Sequence, residues 1–136
     1  MQKRIKEAED IVQKMQKAPK CYFSTLKPSQ LEKGLAVVYA ITNQETEEVL
    51  YVGRTKNLRQ RLYTNHLMGT KTSARLKKYL VEDPELPEIT DMKAAKEYLK
   101  EYCYFQYIPI ADMVKRGQIE GLLSFLLNVK YIHEEH

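Results

Sequence analysis

The chain has 136 residues, 43% hydrophobic and 29% charged, with five Gly, five Pro and no Trp. That composition suits one domain with a buried core and excludes a disordered, collagen-like or mucin-like chain. A formal charge of +4, from 22 Lys and Arg against 18 Asp and Glu, names no partner until its distribution is known.

Residues 2–17 place Ile5, Ala8, Ile11, Val12 and Met15 at helical spacing, and Pro19 stops the pattern. Ser29 with Glu32 resembles a capping box, and Gly34 ends a turn. Residues 1–34 are therefore read as an amphipathic helix and connecting arm ahead of a compact unit, 35–136. Residues 35–42 and 49–53 are rich in β-branched and aromatic side chains and flank the turn-like NQETE, which predicts an antiparallel hairpin. By the period of two, Val37, Tyr39 and Ile41 share a face, as do Val49, Tyr51 and Gly53.

Asn57 is a candidate N-cap for a helix running to about residue 68, with Leu58 and Leu62 facing the core and Arg61 and Asn65 bordering that stripe. Thr72 starts a short helix, residues 84–90 form a loop, and Thr90 caps a helix holding Met92, Ala95, Leu99 and Tyr102. Residues 103–110 are a third strand. The last helix, 112–128, is almost entirely apolar and is expected to be the most buried element, yet it carries Glu120. The expected fold class is α/β (α+β), a small three-stranded, mainly antiparallel sheet flanked by helices.

Several function classes fall away. The longest apolar run, residues 35–41, has seven residues, far from the ~20 that span a bilayer, and MQKRIKEAED lacks the apolar stretch of a signal peptide. The expectation is a cytoplasmic protein with no membrane partner. Cys21 and Cys103 form no CxxC pair and read as core thiols, and the terminal HEEH is a polar tail, not HExxH.

Charge is segregated. Residues 51–80 hold eight basic side chains (Arg54, Lys56, Arg59, Arg61, Lys71, Arg75, Lys77 and Lys78) and no acid, whereas residues 81–101 hold seven acids. A basic segment of this kind is an electrostatic footprint for a polyanion. Glu120 adds a second signal, because a carboxylate on an apolar helix must be paired, neutral or bound to a cation.

The residues VVY (Val37 to Tyr39), then YVG (Tyr51 to Gly53), then RTKNLRQR with Arg61 eight positions past Gly53, resemble the GIY-YIG nuclease family. The resemblance implies a GIY-YIG-like fold with two catalytic tyrosines on adjacent strands, an arginine on the following helix and a metal-holding glutamate on a later helix. The matching positions are Tyr39, Tyr51, Arg61 and Glu120, with Gly53 structural. Tyr39 is then the candidate base, with its pKa lowered by the cationic site, and Tyr51 the candidate for orienting water or phosphate. Arg61 offers a planar fork to phosphate oxygens, and Glu120 is a ligand for one Mg²⁺ or Mn²⁺. The other seven cations of the basic segment are the candidate nucleic-acid contacts, with DNA the first partner and RNA the second.

Three departures stand out. Val37 replaces the glycine of the first triplet. Four residues after the arginine, where members often carry His or Tyr, stands Asn65, with Tyr63 and His66 out of helical register. The family's late asparagine has only Asn128 as a substitute. The implied function is a metal-dependent endonuclease acting on DNA. The alternative is a nucleic-acid-binding module of the same fold that cuts little or nothing.

Overall fold

The protein is described by a computed structural model for residues 1–70 and 73–132. The hairpin forms from β2 (Val37–Asn43) and β3 (Val49–Thr55). Its turn is organised by Asn43, whose Oδ1 accepts from the amides of Glu45 and Thr46 at 2.9 and 3.2 Å, an Asx-type alternative to strand pairing. The register sets Tyr39 opposite Gly53 and Ile41 opposite Tyr51, with an irregularity between Ile41 and Thr42. Both tyrosines therefore lie on one face, next to the glycine.

β4 (Cys103–Pro109) pairs antiparallel with the other side of β2, and the two-residue β1 (Cys21–Tyr22) pairs antiparallel with β4. The order is β1-β4-β2-β3, so the sheet has four strands instead of the three expected. β1 is too short to show alternation in sequence. It exists because Cys21 and Tyr22 align with Phe105 and Tyr104. All seven residues of central β2 are buried.

Each sheet face has its own core. On the tyrosine face, Val37, Ile41 and Phe105 pack with Leu62, Leu76 and Leu99. These come from a π-helix (Gln60–Leu67), α2 (Arg75–Glu82) and α3 (Met92–Tyr102). On the other face, Val38, Ala40, Val52 and Ile108 pack with Met15 of α1 (Gln2–Lys17) and with Ile119 and Leu123 of α4 (Met113–Leu126). Residues 1–34 thus contribute a strand and a covering helix to the same sheet. Gln106 Nε2 ties α1 down by donating to the carbonyls of Gln16 and Ala18 at 3.1 and 2.8 Å.

Several helix ends differ from expectation. α3 is capped by Asp91, not Thr90, through the Ala94 amide at 2.8 Å. The capping interaction expected at Ser29 and Glu32 occurs at Lys27 and Gln30, where Gln30 Oε1 accepts from the Lys27 amide. Thr72 lies outside the described residues. α4 is not the most buried element: only Arg116, Ile119 and Leu123 are buried, and Phe125 is 83% exposed. A helix laid on one sheet face buries one stripe, whatever the polarity of its other side.

Asn128, at φ +51°, ends α4. Its amide donates to Phe125 O and that of Val129 to Ser124 O, both at 3.2 Å, the Schellman arrangement. The amides of Lys130 and Tyr131 then donate to Val49 O and Leu50 O, covering the start of edge strand β3. Its Gly53–Thr55 end lies at the site described next. No helix among the described residues is long and apolar enough to cross a membrane.

Candidate active site

Tyr39 and Tyr51 are buried, with stacked rings 6.3 Å apart at 22°. The fit of Tyr39 depends on the residue opposite. A Cβ at position 53 would collide with the Tyr39 hydroxyl and ring, so glycine there is a packing requirement. Tyr39 Oη lies 2.7 Å from His66 Nε2, and the His66 ring meets both tyrosines edge-on, at 5.4 and 5.1 Å. Burial pushes the Tyr39 hydroxyl well above its ordinary value, with the Tyr51 charge acting in the same direction and Arg61 and Arg75 only partly opposing it. The lowered pKa expected for a base in a cationic site is therefore not found, because desolvation outweighs the arginines. Tyr51 is also raised, chiefly by burial, against the charge of Arg75 and a hydrogen bond to it.

His66 is the residue that the sequence reading set aside. Counting in α-helical turns makes Asn65 the neighbour of Arg61. In the structure, Gln60–Leu67 is a π-helix, and Met68 N donates to Tyr63 O, five residues back, at 3.0 Å. A step of five brings position 66 to the side that a step of four would give position 65. Leu62 and Leu67 are buried on this helix beside His66, so the spacing of five between the two leucines was an available signal. Burial, then the charges of Arg61, Lys77 and Arg75, holds the imidazole pKa down to about 3. His66 is therefore neutral at pH 7.

The helix start is fixed by Asn57, whose Oδ1 accepts from the Gln60 amide at 3.3 Å, and Leu58 and Leu62 are fully buried. Arg61 follows from that anchoring. Arg61 Nε and His66 Nδ1 are buried and have no hydrogen-bond partner among the described residues. Native interiors rarely leave such groups unsatisfied, and one is a guanidinium nitrogen, the donor type that recognises phosphate.

Glu120 comes from α4, beyond the opposite face of the sheet. Its Oε2 lies 3.6 Å from Arg54 Nε, and Arg54 reaches it across Gly117, where a Cβ would collide with Arg54 Nη1. Glu120 is half-buried, and burial raises its pKa despite Arg54, Arg61 and Arg75. Its charge in turn is felt at Tyr39. The chemistry of this donor suits a hydrated hard cation held by one carboxylate, with water and phosphate completing its shell. No cluster of three or more His, Cys, Asp or Glu able to hold a metal exists among the described residues.

Beside these groups lies a cleft of about 820 Å³. One wall carries Arg54, Lys56, Gln60 and Arg61, and the other Met113, Val114, Gly117 and Gln118 of α4. Of Tyr39, Tyr51, Arg61 and Glu120, only Arg61 lines it. The tyrosines are buried and do not reach it, and Glu120 lies one turn along α4 from Gly117.

The basic segment divides. Lys77 is not a surface cation: it is 2% exposed, and its Nζ donates to Leu67 O at 2.8 Å, closing the end of the π-helix. Burial, with Lys96 nearby, brings its pKa down to about 8. Arg59 Nε donates to Leu31 O at 2.8 Å and braces the loop before β2, away from the cleft. Arg75 hydrogen-bonds Tyr51, and its charge is felt at Glu120; Lys78 is exposed, and Lys71 lies outside the described residues, as does the HEEH tail.

Comparison with known proteins fits this geometry. No curated protein and no solved structure matches the chain. The family model of the GIY-YIG catalytic domain matches residues 35–106, which include Tyr39, Tyr51, Gly53, Arg61 and His66 and stop short of Glu120. The match covers more than half of the sequence and falls on the hairpin, the π-helix and the first half of β4, so the chain belongs to the GIY-YIG family, whose members are nucleases.

Proposed function

We infer that the protein is an endonuclease that hydrolyses DNA phosphodiester bonds with the help of one divalent metal ion. The observation that carries this reading is the buried Arg61 Nε, without a hydrogen-bond partner among the described residues, on a side chain that lines a cleft with other basic groups and lies near the Tyr39–His66 pair. A phosphate oxygen satisfies that nitrogen, and a planar fork can hold two oxygens while charge grows on phosphorus.

The contact between Tyr39 and His66 supports a proton path. As water attacks phosphorus, Tyr39 takes its proton and passes its own to His66 Nε2, so only the imidazole gains charge. That step is unfavourable in the free protein, where Arg61, Lys77 and Arg75 oppose a charged His66. A bound phosphate offsets these cations and raises the basicity of His66 when substrate is present. Glu120 would hold Mg²⁺ or Mn²⁺, which supplies positive charge near the leaving oxygen when bound.

The test is cleavage of supercoiled, branched and single-stranded DNA with Mg²⁺ or Mn²⁺. Arg61→Ala is expected to slow cleavage by ~10² or more while weakening binding much less. A second reading, a binding module that does not cut, draws on the full burial and raised pKa of Tyr39. It takes over if the wild type binds DNA and leaves every substrate intact with either metal.

A further inference from the structure

Two apolar side chains stand where a polyanion site has least use for them. Met113 and Val114 open α4 and are 69% and 63% exposed. Both line the cleft across from Arg54, Lys56, Gln60 and Arg61. The rest of the cleft lining is basic, amide or small, and no acidic residue contributes among the described residues. The first turn of α4 is rigid: Asp112 caps it through the Lys115 amide at 2.8 Å, and Arg116 Nη1 binds the carbonyls of Ile110 and Ala111 at 3.0 and 2.8 Å. The apolar pair is therefore presented on a fixed support.

Charge complementarity selects the occupant, because a cleft with one cationic wall and one apolar wall matches a strand with phosphates on one side and a base face on the other. Continuous duplex DNA hides its base faces by stacking. They are exposed at a nick, flap or branch, where inserting an apolar wedge such as Met requires least unstacking.

Building on the nuclease reading, the geometry points to DNA with interrupted stacking as the substrate class. Met113 and Val114 pack on the exposed base face while the phosphates run along Lys56 and Arg61. The two residues act in recognition and take no part in bond cleavage.

The test is binding of the full chain in EDTA, where cleavage is silent, to a continuous duplex and to a flapped duplex of equal phosphate count. The wild type is expected to bind the flapped duplex about tenfold more tightly, within the range a stacked base contributes. Met113→Ser with Val114→Ser should lose that preference and keep the continuous-duplex affinity and its salt dependence, whereas Met113→Leu should keep the preference. A 2-aminopurine at the flap junction should change its fluorescence with the wild type and much less with the double variant. Unchanged melting of both variants is expected, since the side chains are exposed. Equal wild-type affinity for the two duplexes, or a preference that survives in the double serine variant, overturns the inference alone. Absence of binding to either DNA at low salt overturns the nuclease reading and the inference with it.

Discussion

At the scale of single residues, the site depends on space as much as on charge. Tyr39 has one place to sit, between Gly53 and His66, and its ring cannot yield because it is fully buried. Gly53→Ala should therefore destabilise by about 1–3 kcal/mol through overpacking, read from urea unfolding, and reduce cleavage as well. His66 gives a pH signature. Its folded pKa of about 3 lies below the ordinary 6.5, so the unfolded chain binds more protons between those values. Stability from the neutral imidazole is complete above pH 6.5 and is lost as pH falls toward 3. Through His66, unfolding free energy should thus decline between pH 6.5 and 4.5, above the range where Asp83 and Glu7, whose pKa values are lowered, contribute, while the raised pKa of Glu120 acts in the opposite direction. His66→Gln, which retains a polar partner for Tyr39, should flatten that decline, and an unaltered slope would assign it to other groups.

At the scale of elements, the hairpin and β4 were legible because alternation of β-branched and aromatic residues has one physical meaning in a buried sheet. The π-helix was not. A π-turn is set by tertiary packing, and reading positions 61–67 at the α-helical period assigned the place of His66 to Asn65. Lys77 was misplaced for a related reason: a lysine in a basic run looks solvent-facing, yet between Leu76 and Leu80 it points inward and donates to Leu67 O. That reassignment is testable. Lys77→Met should lower stability, since a buried carbonyl loses its partner, and leave the salt dependence of DNA binding unchanged. Lys56→Ala should do the reverse, flattening the slope of log affinity against log salt by about 0.9 on duplex DNA while barely moving the melting curve.

At the scale of the molecule, the four-stranded sheet separates the proposed proton path from the proposed metal ligand. Tyr39 and Tyr51 belong to one face and α4 to the other, and the two sides communicate around edge strand β3. Glu120 was legible as a carboxylate out of place on an apolar helix, but its partner was not, because Arg54 reaches it only through the notch at Gly117. The ion pair gives a prediction with two arms. Arg54 holds positive charge where a divalent cation would sit, so the guanidinium competes for the carboxylate. Arg54→Ala should therefore tighten Mn²⁺ binding, measured directly by electron paramagnetic resonance, even where loss of a phosphate contact weakens DNA binding. Glu120→Gln preserves size and removes the charge that attracts the ion. Mn²⁺ binding and cleavage should both collapse, whereas metal-free DNA binding should persist or strengthen, since a negative charge near phosphate has gone. If Glu120→Gln binds Mn²⁺ as the wild type does, the ion is held by another carboxylate, and the edge of β3 is not where the two faces of the sheet meet in catalysis.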